Sequence, residues 1–286
     1  MGLRSWVVWP LAVVALASGC VVGGHGWDSE AIDRGVFTAS GFAHKDYKLR
    51  VSPGSNSGEI LGPNWILDNY YRRDGELKPR DGEDYLSHYS LDLNGDGTFE
   101  STVTEYRFLL RYKHAEHDGV IWLRALPLSP DERRKELKSL MRTYVDGVAG
   151  AGYEAVSFGG PPQVVERRYA AEIVAASPAR VGGHEAYAAT VDVANVDQLK
   201  LSPTRRKTRV GLVLIRTTFW LRVSGEVNYP VLLVTGYSNQ PDDYPRAIAE
   251  YQSFLGRIDF GQGGSFEGAA LSPSSPDPGA ATPPSP

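Results

Sequence analysis

Val120-Ile121-Trp122-Leu123-Arg124-Ala125-Leu126-Pro127-Leu128-Ser129-Pro130-Asp131-Glu132 is the stretch on which the fold turns. Residues 120–126 have strand composition, and helix-start signals follow at once. Ser129 reads as an N-cap, Pro130 suits a first turn, and Glu132 stands where a capping box needs its carboxylate. Beyond them Leu137, Leu140, Met141, Tyr144, Val145 and Val148 recur at helical spacing, with Arg134, Lys135, Lys138 and Arg142 on the opposite face. A helix apolar on one side has to cover something, and a strand leading straight into it makes that partner a sheet.

Outward from this stretch the pattern repeats. Downstream, residues 168–175, 186–193, 210–223 and 231–237 have strand composition. A second helix is expected after Asp242 and Asp243, with Pro245 in its first turn and Ala247, Ile248, Tyr251, Phe254, Leu255 and Ile258 on one stripe. Upstream, Tyr47, Leu49 and Val51 alternate as a short strand. Tyr85, Ser87, Tyr89, Leu91 and Leu93 share one face of the next, and Tyr106, Phe108, Leu110 and Tyr112 one face of its partner. Strands joined by short turns and helices set apart from them predict an α+β fold, an antiparallel meandering sheet covered by two main helices.

The 286 residues are 42% hydrophobic, enough for a sizeable core. Lys plus Arg is 30 against 34 Asp plus Glu, a net charge of -4, which leaves no basic field to hold nucleic acid. With one cysteine there is no internal disulfide, multi-cysteine zinc site or Cys-x-x-Cys pair.

That cysteine is Cys20, and its surroundings give it a meaning. Arg4 is a basic start, residues 6–17 are apolar, and Ser18 and Gly19 are small. The apolar run falls short of the about 20 residues a membrane span needs. Leu16-Ala17-Ser18-Gly19-Cys20 resembles the lipobox of bacterial lipoproteins, departing from it in Ala17, where the family most often has Leu. The resemblance implies that residues 1–19 are a signal peptide, that Cys20 becomes the lipidated first residue, and that acyl chains such as palmitate hold the protein on a membrane. Each buried methylene contributes about 0.8 kcal/mol. Val21 follows, so the Asp that retains enteric lipoproteins at the inner membrane is absent, and the resemblance points to the outer membrane. An ordinary signal peptide, leaving Cys20 a free thiol, is the alternative.

Residues 20–35 are polar and Gly-rich, a tether. Residues 36–262 read as a single globular domain, and 263–286 as a disordered tail rich in Pro, Ser and Ala. The order of elements resembles the PsbP-like α/β/α sandwich. The likeness lies in residues 42–51, the helix after Leu126-Pro127-Leu128, and the ending Tyr251-Gln252-Ser253-Phe254-Leu255-Gly256-Arg257-Ile258. That fold hosts non-enzymatic accessory and assembly factors, so the resemblance implies binding before catalysis.

The sharpest internal motif is Asp92-Leu93-Asn94-Gly95-Asp96-Gly97-Thr98-Phe99-Glu100, the first half of a calcium loop. Asp92, Asn94 and Asp96 would ligate by side chain, Thr98 by its carbonyl, and Glu100 directly or through water. Val103 stands where an EF-hand has its bidentate Glu, so a bound calcium would be held weakly, at roughly 10⁻⁴ to 10⁻³ M. The competing reading is a hairpin turn built on Asn-Gly and Asp-Gly. Crowding of three acids without a nearby Lys or Arg favours the cation; the two glycines favour the turn.

His114, His117 and Asp118 read as solvated turn residues, with the imidazoles on opposite faces if the strand continues. His184-Glu185 reads as strand surface. The chain has no Gly-x-Ser-x-Gly elbow and no Ser-x-x-Lys, and the prolines of Gly159-Gly160-Pro161-Pro162 remove the amides a phosphate loop needs. Lys200, Arg205, Arg206, Lys207 and Arg209 form a basic run, expected to be a solvated loop. Trp65, Tyr70, Tyr71 and Tyr85, near Asn64 and Asn69, are expected to pack a long loop onto the sheet rather than form a binding surface.

The sequence therefore predicts a lipid-anchored protein of the bacterial cell envelope, binding or accessory in role and without catalytic activity. Its partners would be the membrane, through the N-terminal lipid, and an envelope protein. The alternatives are an envelope hydrolase whose site is assembled from dispersed residues, and a calcium-dependent surface protein.

Overall fold

Ile121, Trp122, Leu123, Arg124 and Ala125 are all buried. The strand on which the sequence reading turns has no solvent face, which explains a continuous apolar run where a half-exposed strand would alternate. The structure, a computed structural model, describes residues 35–271 except 55–58, 81, 83–84, 93, 99–100, 149–150, 157–162, 196–206 and 223–227. Cys20, the rest of the N-terminal segment and residues 272–286 lie outside the described residues.

In chain order the first strands are β1 (Val36–Thr38), β2 (Gly41–His44), β3 (Leu49–Val51), β4 (Trp65–Leu67), β5 (Tyr70–Arg73) and β6 (Glu76–Pro79). Next come β7 (Leu86–Leu91), β8 (Ser101–Tyr106), β9 (Leu110–His114), β10 (Val120–Pro127) and helix α1 (Leu137–Val148). Strands β11 (Ala151–Val156), β12 (Gln163–Val181), β13 (His184–Asn195), β14 (Lys207–Arg222) and β15 (Asn228–Asn239) lead to helix α2 (Tyr244–Leu255), and β16 (Ile258–Asp259) and β17 (Phe266–Gly268) follow.

The main sheet has the order β11-β12-β13-β14-β15-β10-β9-β4, antiparallel throughout, with β17 added beside β12. Strands β11 to β15 meander, but β10 pairs with β15, so the chain has to cross the sheet between β10 and β11. That crossing carries α1, whose Leu137, Leu140, Met141 and Val145 pack with Trp122, Val191, Leu212, Leu214 and Val234 on one face. The opposite face is covered by α2, through Tyr244, Ala247, Ile248, Tyr251, Phe254 and Leu255, together with a small sheet of order β1-β2-β3-β16. Two further pairs, β5 with β6 and β7 with β8, stand apart as two-stranded sheets. The fold is α+β, an antiparallel sheet with two helices, as the sequence predicts.

Four boundaries differ from expectation. Ser129 and Glu132 do form the reciprocal box: Ser129 N and Oγ donate to Glu132 Oε2 at 2.9 and 2.8 Å, and Glu132 N donates to Ser129 Oγ at 3.4 Å. It caps only a 3₁₀ turn, Glu132–Arg134, after which Lys135 is extended and α1 begins at Leu137. Arg216 of β14 donates to the Lys135 carbonyl, holding this break over the sheet. Tyr106 and Leu110 belong to different strands, because Arg107 N bonds Tyr85 O while Leu109 N bonds Leu123 O, and the chain steps there from the β7–β8 pair into the main sheet. Ile258 is not helical: α2 ends at Leu255, and Ile258 pairs with Val51 in the small sheet. The domain also continues past 262. Residues 266–268 pair with β12, and Leu271 is fully buried, so the first part of the expected tail completes the core.

Two glycines in the central strands let aromatic rings lie against the backbone. A Cβ on Gly236 would stand 2.2 Å from Trp122 Cζ2 on the α1 face, and one on Gly211 would stand 2.6 Å from Tyr244 Oη on the α2 face. Both rings are buried and have nowhere to retreat. Gly236→Ala is expected to destabilise the domain by about 1–3 kcal/mol, the usual cost of overpacking. Gly256→Ala, whose Cβ would meet nothing closer than 3.5 Å, is the near-neutral control. Urea unfolding of the two variants checks this, with the midpoint of Gly236→Ala falling at an unchanged slope.

Candidate functional site

Among the described residues, a group of ionisable and aromatic side chains gathers where β4, the β9–β10 turn, the end of β15 and the start of α2 meet. Trp65 of β4 is opposite His114, the last residue of β9. The chain then turns through residues 115–119 and brings His117 back over His114. The two imidazoles stack with centroids 3.6 Å apart and planes 3° from parallel. Trp65 meets His114 edge-on at 5.0 Å and His117 at 6.2 Å, and its indole Nε1 donates to Glu250 of α2. Behind it lie Tyr237, Tyr244 and Tyr251.

The reading of His114 and His117 as solvated turn residues is corrected, since both rings are half-buried and stacked, and so is the opposite-face geometry. That geometry assumes a strand that continues past His114, whereas β9 ends there and the turn folds back. Gly119 makes this possible: its amide donates to His117 Nδ1 at 3.0 Å, and a Cβ there would stand 2.6 Å from that nitrogen. Glu116 N bonds His114 Nδ1 in the same way at 3.2 Å. Asn239 Nδ2 also faces His117 Nδ1, at 3.1 Å, while donating to Tyr237 Oη at 3.0 Å; its Oδ1 accepts from Gln240 N at 2.8 Å. That network fixes the direction of the amide.

These bonds define the chemistry available. With Nδ1 of both rings accepting, the neutral imidazoles carry their protons on Nε2. A metal-bound imidazole instead donates its second nitrogen to an acceptor, and here both Nδ1 atoms face N–H groups. Among the described residues no group of three or more His, Cys, Asp or Glu is placed to hold a metal ion. The His117 pKa is lowered by burial and by His114, against the opposing pull of Asp243 and Glu250. The Tyr237 hydroxyl is pushed up to about 12, by burial first. Glu250, the carboxylate nearest the rings on α2, is already engaged by Trp65 Nε1.

The candidate calcium residues fall at the β7–β8 turn. Asn94, Asp96 and Thr98 are exposed, Asp92 is half-buried, and Glu100 lies outside the described residues, as do Leu93 and Phe99. Positive φ at Gly95 and Gly97, +83° and +90°, curls the chain so that its amides meet the acids. Gly97 N donates to Asp92 Oδ2 at 2.9 Å, Asp96 N to Asn94 Oδ1 at 2.9 Å, and Thr98 N to Asp96 Oδ1 at 2.8 Å, with Gly95 N also bonded to Asp92. The Thr98 hydroxyl and amide hold the Asp96 carboxyl below the usual carboxylate range. Loop amides thus account for Asp92 and Asp96 without a cation.

Of the basic run, Lys200, Arg205 and Arg206 lie outside the described residues. Lys207 is exposed, but Arg209 is not a free cation: it makes a two-pronged pair with Asp192 at 2.7 and 2.9 Å. His184 begins β13 and packs edge-on to Phe260 at 4.4 Å. Trp65 and Tyr70 are buried, and Asn69 ties the loop down by donating to Phe108 O and accepting from Arg111 N. Trp65 and Tyr70 pack as expected, though from strands β4 and β5 and not from a long loop, while Tyr71 and Tyr85 are only half-buried. An open groove of about 430 Å³ runs between α2 and β17, lined by Gln252, Ser253, Gly256, Phe266 and Gly268.

Asp92→Ala removes the acceptor for two turn amides. Hydrogen exchange at residues 95–98 is expected to speed up in the variant, and in the wild type to be the same with millimolar calcium as with a chelator. A calcium-dependent gain in protection that Asp96→Asn abolishes would show instead that a cation occupies the loop.

No family model matches the chain, and no curated protein does. Among solved structures it resembles the solution structure of cyanobacterial PsbP (CyanoP) from Synechocystis sp. PCC 6803, with a TM-score of 0.33 and 11% identity over 62% of this chain and 93% of that one.

Proposed function

We propose that this chain is a lipid-anchored binding or accessory protein of the bacterial cell envelope, carried at the outer rather than the inner membrane and working without a catalytic centre. The observation that carries the reading is the single cysteine at the end of Leu16-Ala17-Ser18-Gly19-Cys20, behind a short apolar run too brief to be a membrane span. A lone thiol in an exported protein invites oxidation, and lipidation gives it a use.

The geometry supports binding over catalysis in two ways. The groove between α2 and β17 offers an amide, a hydroxyl, two glycines and a phenyl ring, groups that recognise a partner by hydrogen bonds and contact rather than by moving protons. The cluster at the β9–β10 turn has both imidazole Nδ1 atoms committed to N–H donors, so neither faces a hydroxyl it could activate. A net charge of -4 fits a protein partner or a lipid surface reached through the acyl chains better than nucleic acid.

In the source cells, mass spectrometry of the mature N-terminus is expected to find acyl mass on Cys20, and Cys20→Ala is expected to move the protein from the membrane fraction to the soluble one. A free Cys20 in a soluble protein would overturn the anchor and raise the hydrolase alternative to equal standing. Crosslinking of the anchored wild type then names the partner.

A further inference from the structure

The turn 115–119 is shaped by bonds to two imidazoles that accept only when unprotonated at Nδ1, and it is joined to the body of the domain by Asn239 and Gln240 and by the Ala115 amide, which donates to Asn64 O at 2.8 Å. His117 Nδ1 receives the Gly119 amide and faces Asn239 Nδ2, His114 Nδ1 receives the Glu116 amide, and Asp118 Oδ2 accepts from Gln240 Nε2 at 2.9 Å. We propose that the stacked pair His114 and His117 is a pH-sensitive latch, which holds the β9–β10 turn against the junction of β15 and α2 at neutral pH and releases it on mild acidification.

A proton added to His117 goes to Nδ1, where it meets an N–H donor instead of a lone pair. Asn239 cannot turn to offer its oxygen without losing the bond from the Gln240 amide, which has only a proton to give. A second proton would set two cations face to face at 3.6 Å. Among the described residues the surroundings do not rescue the charge. From the turn itself come Glu116, which is exposed, and Asp118, bonded to Gln240. Strand β4 supplies Trp65, and β15 supplies Tyr237 and Asn239, none of them charged. From α2, Asp243 is paired with Arg246 at 2.9 Å, and Glu250 accepts from Trp65. Burial and His114 outweigh those two carboxylates and keep His117 below its ordinary 6.5.

The sign follows. A histidine whose docked pKa is lowered binds fewer protons docked than released, so the latch is at full strength above about pH 6.5 and weakens as pH falls toward the docked value. Each unit of lowering multiplies the released fraction about tenfold once the pH is below both values.

The test uses the full-length chain with histidines labelled at Cε1, followed by NMR from about pH 7.5 to about pH 5, the range in which imidazoles titrate. In parallel, hydrogen exchange at residues 115–119 is corrected for its intrinsic pH dependence. The expected result is a rise in exchange confined to this turn that coincides with the His117 titration. His117→Asn keeps an acceptor for the amide two residues on, as asparagine does in turns, but has no proton to gain. It is expected to keep the turn protected at neutral pH and to abolish the acid step, and His114→Asn to reduce it. An acid step that persists in His117→Asn, or wild-type exchange that stays flat or departs from the His117 titration, would overturn the latch. The coincidence test in the wild type stands even if a variant fails to fold.

Discussion

Strands β10 and β15, and β14 from Val210 to Ile215, are buried on both faces, and every other layer follows from that. A strand with no solvent side cannot alternate polar and apolar residues, so Ile121 to Ala125 and Val231 to Asn239 are buried without a break. Each face then needs a cover. The crossing from β10 to β11 lays α1 on one, and α2 with the small β1-β2-β3-β16 sheet closes the other. The covers sit so close that Gly236 and Gly211 have to lack side chains for Trp122 and Tyr244 to reach the backbone. Close packing of this kind leaves little tolerance for an added methyl group.

The same arrangement decides where polar chemistry collects. Residues on the α2 face of the central strands are covered along most of their length, and the cover ends where α2 begins. There Asn239, Asp192 and Arg209 pair among themselves or with the β9–β10 turn, and the histidines stack at the margin. Polar groups half out of water have to find partners, and those at this margin come from β4, the turn, β15 and α2 at once. A junction of four elements is easier to loosen than a strand within the sheet, because its contacts are few and each depends on one side chain.

Much of this was legible in the chain itself. The stripe Leu137, Leu140, Met141 and Val145 and the stripe Ala247, Ile248, Tyr251 and Leu255 lie on the buried faces of two helices, and the strand-rich segments after residue 163 form the main sheet. Periodicity reports burial directly, so these elements needed no tertiary information. Boundaries fared worse where a distant group set them. The helix start moved from Ser129 to Leu137 because Lys135 is held extended beside Arg216, and the core reaches past residue 262 because Leu271 is buried beside α2.

The class of fold and the two covering helices can be read from the chain alone, since each rests on residues close together in it. Only the tertiary structure decided that β10 pairs with β15, that Arg209 belongs to Asp192, and that His114 and His117 face one another. Those contacts join residues whose spacing carries no signal. The histidine stack exists because a strand stops at residue 114 and a glycine at 119 lets the turn come close, and its neighbours Trp65, Asn239 and Glu250 are supplied by elements far apart in sequence. Local pattern records which side of an element meets the core; it holds no record of which distant element arrives there.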